Sequence, residues 1–217
     1  MKIMSYAPQQ FQEAPPATSQ TTFIRRTYQL LLYALLGIVG AGVAAFRFLP
    51  EAAFLPVLAV DSVLWIACGW FGWRRPINVV LPLFTLATGL MLGMLAHVYP
   101  AAVFAQAAVL TVLAFTGLSV YAHTTKTDFS YLRGFLSMAF WIILGAGLLT
   151  IFVHAPILHL AIAALGTVTF GCWILYDTSQ IVNRRNEKLT PGVAAFELLL
   201  DIVGLFRWLL DLLDHFR

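Results

Sequence analysis

Seven apolar stretches separated by short breaks limit what this chain can fold into. They cover about 28–46, 54–73, 79–97, 102–122, 134–153, 157–176 and 194–213. Each is near the roughly 20 residues that a helix needs to cross the hydrocarbon core of a bilayer. No water is available there, so the backbone must satisfy its own hydrogen bonds, and a helix does so within one segment. Of the 217 residues, 60% are hydrophobic and 11% charged, at a mean hydropathy of +0.84. Soluble domains carry roughly 25% charged residues. The reading is an all-α polytopic membrane protein with seven transmembrane helices, its main partner being the lipid bilayer. Short breaks make neighbouring helices antiparallel and the bundle compact, with no separate soluble domain.

The cations sort by side. Lys2, Arg25 and Arg26 precede the first stretch, Arg74 and Arg75 follow the second, Lys126 and Arg133 the fourth, and Arg184, Arg185 and Lys188 the sixth. The opposite breaks hold little more than Arg47. By the positive-inside rule the N-terminus is cytoplasmic. The same rule accounts for the net charge of +3 without invoking nucleic acid. Residues 1–22 are rich in Pro, Gln, Ser, Thr and Ala and lack the apolar core of a signal peptide. They read as a disordered cytosolic tail, and 23–217 as the membrane domain. Cys68 and Cys172 fall inside apolar stretches and read as small core residues. The last stretch carries Glu197, Asp201, Arg207 and Asp211. Such a helix suits lipid poorly, so it is expected at the bundle centre, shielded by the other six. Full crossing puts the C-terminus outside; a re-entrant course puts it in the cytosol.

The acids in apolar sequence are the candidates for function, because an ionisable group within a span usually faces a protein interior or a water path. Asp177 closes the sixth stretch and Asp201 lies about two turns into the seventh, so opposite directions of travel bring them to similar depth. Two carboxyl groups held close repel when both are ionised, and a shared proton relieves this. Glu197, four residues before Asp201, shares its helical face. Asp177 alone would also suit a helix-end cap in water, and Glu197 the headgroup layer. Asp61, in the outer part of the second stretch, has Arg207 as its natural partner, although each could also snorkel separately. The histidines are scattered over both faces without metal-ligand spacing, and no phosphate loop or nucleophile elbow is present. The expectation is a non-catalytic protein without a resident cofactor or firm metal site.

Several segments together resemble the Bax inhibitor-1, or transmembrane Bax inhibitor motif, family. They are Thr22-Phe23-Ile24-Arg25-Arg26-Thr27-Tyr28, Thr85-Leu86-Ala87-Thr88-Gly89-Leu90, Thr124-Thr125-Lys126-Thr127-Asp128-Phe129-Ser130, Ile174-Leu175-Tyr176-Asp177-Thr178 and Leu200-Asp201-Ile202-Val203-Gly204-Leu205-Phe206. The resemblance runs from about Phe23 to the end and is to bacterial members. It implies six helices around a central seventh, in a bacterial inner membrane. It implies a pH-sensitive calcium leak, with Asp177 and Asp201 as proton sensor and gate and as transient Ca²⁺ contacts. Asp61 corresponds to a pore-lining or gating acid, with Arg207 and Glu197 as further lining or latch groups. A cation near the end of the second stretch holds the acid pair in relatives; here Arg74 or Arg75 would have to reach back. Gly204 stands where relatives often carry Asn, and Asp211 where some carry a latching cation. An alternative role in the family is to bind and restrain a membrane-anchored AAA protease, with the tail as a possible handle. The fold closes alone, so a monomer is expected.

Overall fold

The computed structural model describes residues 17–71, 77–125, 127, 129–150, 152–153, 155–183 and 189–217, with the backbone alone at 17–19 and 68–71. The described residues form seven α-helices: α1 (Ala17–Phe48), α2 (Phe54–Phe71), α3 (Ile77–Val98), α4 (Ala101–Thr125), α5 (Leu132–Thr150), α6 (Pro156–Asn183) and α7 (Pro191–His215). A 3-10 turn, Glu51–Ala53, leads into α2. Among the described residues there is no strand.

The first helix shows how lipid and protein divide one surface. Phe23, Thr27, Leu31, Ala34, Ile38 and Ala45 are buried at three-, four- and seven-residue spacing, one face of a helix. Leu32, Tyr33, Leu36, Val39 and Val43 cover the other face and are exposed. A helix in water would be polar there. Residues 1–16 of the expected tail lie outside the described residues, whereas 17–22 already belong to α1. Gln20 Nε2 donates to Val182 O at 2.6 Å and Phe23 is buried, so this end is anchored to α6.

Among the described residues, α1 from Gln20, α3, α4, α5 and α6 are long and apolar enough to cross a membrane. That is five helices, where the apolar pattern alone suggests seven. The 18 residues of α2 extend about 27 Å, a narrow margin for crossing. In α7 the five charged residues, Glu197, Asp201, Arg207, Asp211 and Asp214, not length, set it apart.

Thirteen of the 25 residues of α7 are buried, including Asp201 and the run Ile202–Phe206. The helix packs on α1, α3, α4 and α6, while α5 lies against α6 and α2 against α3. Its first half joins α1, Phe84 and Ile181 in one apolar core. Its second half joins Val103, Ala107 and Ile174 in another.

The most extensive pairing is α1 with α3. Hydrophobic exclusion does not drive helices together in lipid, so small residues that allow close contact matter most. A Cβ on Gly93 would overlap the carbonyl of Gly42, and one on Gly89 would lie 2.8 Å from Ile38 O. Gly204 of α7 serves another purpose, because the Phe170 ring of α6 occupies the space its side chain would need.

Gly93→Val is expected to destabilise the bundle by about 1–3 kcal/mol through overpacking against backbone. Thermal unfolding in detergent, compared with Gly40→Val, checks this, since no atom stands within 4 Å of a Cβ at Gly40.

Candidate functional site

The site begins at the hairpin of α6 and α7. Thr190 caps α7, its Oγ1 accepting from Val193 N at 3.3 Å, and Pro191 fits the first turn because no intrahelical partner is needed for its missing N–H. Ala194 and Ala195 are fully buried, so α7 enters the bundle without bulk. The sixth helix does not end at Asp177, where the apolar run stops. It continues to Asn183, with Thr178, Ser179 and Ile181 buried. Asp177 is therefore inside a helix wall and not a cap in water.

Asp177 and Asp201 are 7% and 5% exposed, and their carboxyl groups lie within interaction range of each other. An ionised carboxylate only accepts, so a hydrogen bond between two carboxyl groups requires a proton on one of them. Two enclosed carboxyl groups at this range can share one proton. Asp201 Oδ2 is buried and makes no hydrogen bond to a described residue. Glu197, half-buried one turn before Asp201, lies within electrostatic range of both aspartates. Arg74 and Arg75, the candidate cations for this pair, lie outside the described residues.

A second polar layer lies further along α7. Asp61 of α2 is fully buried. Thr88 Oγ1 donates to its Oδ1 at 3.0 Å, and Arg207 Nη1 donates to its Oδ2 at 2.9 Å. Arg207 Cζ stands 5.9 Å from the centroid of a Trp65 ring, within cation–π range. Three helices thus close on one carboxylate. The six-residue step from Asp201 to Arg207 separates the layers by about 9 Å along α7.

A third contact, at the far end of α7, was not visible in the sequence. Tyr99, in the turn between α3 and α4, donates its hydroxyl to Asp211. Burial first, and then the Asp211 carboxylate, hold the Tyr99 phenol above its ordinary pKa, so it remains a donor. The pair borders a cavity of about 650 Å³ with His159, Trp208, Asp214 and His215. The only sequence signal was an aromatic hydroxyl beside Pro100 in a break; nothing in spacing links it to Asp211.

An all-helical bundle with apolar outer faces and ionisable groups gathered on its most enclosed helix is a polytopic membrane protein. The family profile described as "Inhibitor of apoptosis-promoting Bax1" matches residues 20–217. The chain belongs to this family, the Bax inhibitor-1 family. It is 38% identical over 207 residues to an uncharacterised protein of Campylobacter jejuni, covering 90% of this chain and 89% of that one. An uncharacterised membrane protein of Vibrio cholerae is 35% identical over 202 residues, covering 88% and 87%. The Golgi anti-apoptotic protein of vaccinia virus (strain Lister) is 34% identical over 205 residues, covering 88% and 84%.

Arg207→Met should leave the enclosed Asp61 carboxylate without its cation and cost about 3 kcal/mol or more. The double variant with Asp61→Asn should recover part of that loss. Thermal unfolding of the single and double variants in detergent reads both; equal loss in the two would mean that the ion pair is not the source.

Proposed function

We propose that the protein is a proton-gated, passive cation leak of a bacterial inner membrane, with its N-terminus in the cytoplasm. The observation that carries this reading is the enclosed, proton-sharing pair Asp177–Asp201, which bridges the two helices that would have to part. With one proton shared, the pair ties α6 to α7. When that proton leaves, two carboxylates face each other across the same gap, and repulsion separates the helices. Flux should therefore rise with pH.

In this reading α7 is the central element, with the other six helices around it and α2 and α7 crossing fully. Its wide contacts with α1, α3, α4 and α6 support that placement. Exposed Arg25 and Arg26 at the start of α1 support the orientation. A carboxylate-lined path would favour Ca²⁺, a hard cation that takes oxygen ligands, with transient contact at Asp177 and Asp201. Asp61, held by Arg207 and Thr88, is the second constriction, and Glu197 lines the approach. One chain supplies every part, which supports a monomer as the working unit.

The test is Ca²⁺ flux into dye-loaded liposomes containing purified protein, scanned from about pH 5 to pH 8. Wild-type flux should increase by roughly tenfold or more across the titration. Asp177→Asn and Asp201→Asn should each flatten the dependence. Flux whose pH dependence survives both substitutions sinks the sensor assignment, and folded wild-type protein with no flux at any pH sinks the leak.

A further inference from the structure

The acid pair is sealed inside the bundle, yet a proton gate needs a route for protons. At the same end of the bundle, three hydroxyl groups from three helices converge. They are Tyr28 Oη of α1, Ser119 Oγ of α4 and Thr178 Oγ1 of α6. Tyr28 Oη is within polar reach of the other two. All three are buried, and none makes a hydrogen bond of good geometry to a described residue. An unpartnered buried hydroxyl costs about 1–3 kcal/mol, so such groups normally bond to enclosed water. With Asp201 Oδ2 they make four unpartnered polar atoms near one end of the bundle.

The cluster has two ends. Thr178 follows Asp177 directly, their Cα atoms about 3.8 Å apart. At the other end, His123 lies one turn after Ser119, half-buried near the end of α4. Its Nδ1 is 2.8 Å from Ser119 O, and its ring centroid is 6.2 Å from that of Tyr28. A carbonyl can only accept, so Nδ1 carries the hydrogen. That leaves Nε2 free to take a proton at the rim of the bundle.

We propose that His123, Ser119, Tyr28 and Thr178, bridged by water, form the route by which protons reach the Asp177–Asp201 pair. The route rests on the gated-leak reading and deepens it. A proton from bulk buffer binds His123 Nε2 and leaves to water, so the imidazole returns to neutral. Each hydroxyl on the way accepts one proton and releases its own. The last transfer ends on an aspartate carboxylate, and no net charge stays on the route. The titratable groups around it are Tyr28, His123, Asp177, Glu197 and Asp201. Arg25 and Arg26 of α1 and Tyr121 of α4 are exposed, while Lys126, Asp128 and 184–188 lie outside the described residues. Glu197 offers the competing route, since it is half-buried on the same helix as Asp201.

The test follows carboxyl protonation by time-resolved infrared spectroscopy of the full chain in liposomes after a drop in pH. Tyr28→Phe and Thr178→Val remove one hydroxyl each and keep the shape. The protonated-carboxyl band should grow about tenfold more slowly in each, with unchanged final amplitude. Ser119→Ala should behave likewise and stands in for any variant that does not fold. His123→Ala should also slow the band, and concentrated imidazole buffer should restore its rate, which a structural defect would not allow. Wild-type rates in the three hydroxyl variants overturn the proposal. So does a rate that falls only in Glu197→Gln, or a wild-type protein with no pH-dependent carboxyl band. Ca²⁺ flux that ignores pH while the band kinetics depend on Tyr28 would sink the leak reading and leave the proton route standing.

Discussion

Enclosing charge in a bundle solvated by lipid is the constraint to which this structure answers. An ionisable side chain in a span costs several kcal/mol unless it is paired, protonated or wetted. The last helix carries ionisable groups at three levels, and the bundle treats each differently. Asp201 is buried beside Asp177, a partner with which one proton can be shared. Further along, Arg207 offers its guanidinium to Asp61. At the far end Asp211 accepts from a phenol. These are three chemistries for one electrostatic problem, arranged along a single helix. They also explain why α7 is wrapped by protein while its neighbours present Leu, Val and Ile outward.

The neighbours are not equivalent. Gly89 and Gly93 bring the backbone of α3 against that of α1, which makes this pair the close-packed wall of the bundle. Contact between α6 and α7 is also broad, but it holds two buried carboxyl groups, Asp177 and Asp201, close together. One wall is set by backbone sterics, which no solution condition alters. The other encloses two carboxyl groups, whose charge is a matter of protonation.

Much of the helical layout was legible from hydropathy, because lipid leaves few alternatives to apolar helices of about 20 residues. The acids Asp61, Asp177 and Asp201 stand out for the same reason. Hydropathy misjudged the limits where burial and composition diverge. The apolar run stops at Asp177, yet Thr178, Ser179 and Ile181 continue the helix with a buried face. The expected tail gives way to helix at Ala17, where Gln20 and Phe23 find partners that local composition does not announce. Contacts between distant segments were the least visible. Tyr99 and Asp211 are 112 positions apart, and Tyr28, Ser119 and Thr178 are ordinary residues of membrane helices with no shared spacing. Only the folded chain brings them together.

Phe170 fills the place that a side chain at Gly204 would occupy, midway along α7 between Asp201 and Arg207. Its ring sets aromatic carbon between the level of Asp201 and the level of Arg207. The polar groups on one side are screened from those on the other by aromatic carbon instead of being joined by a chain of dipoles. An ion passing from one layer to the other along this face of α7 would have to displace that ring or go around it.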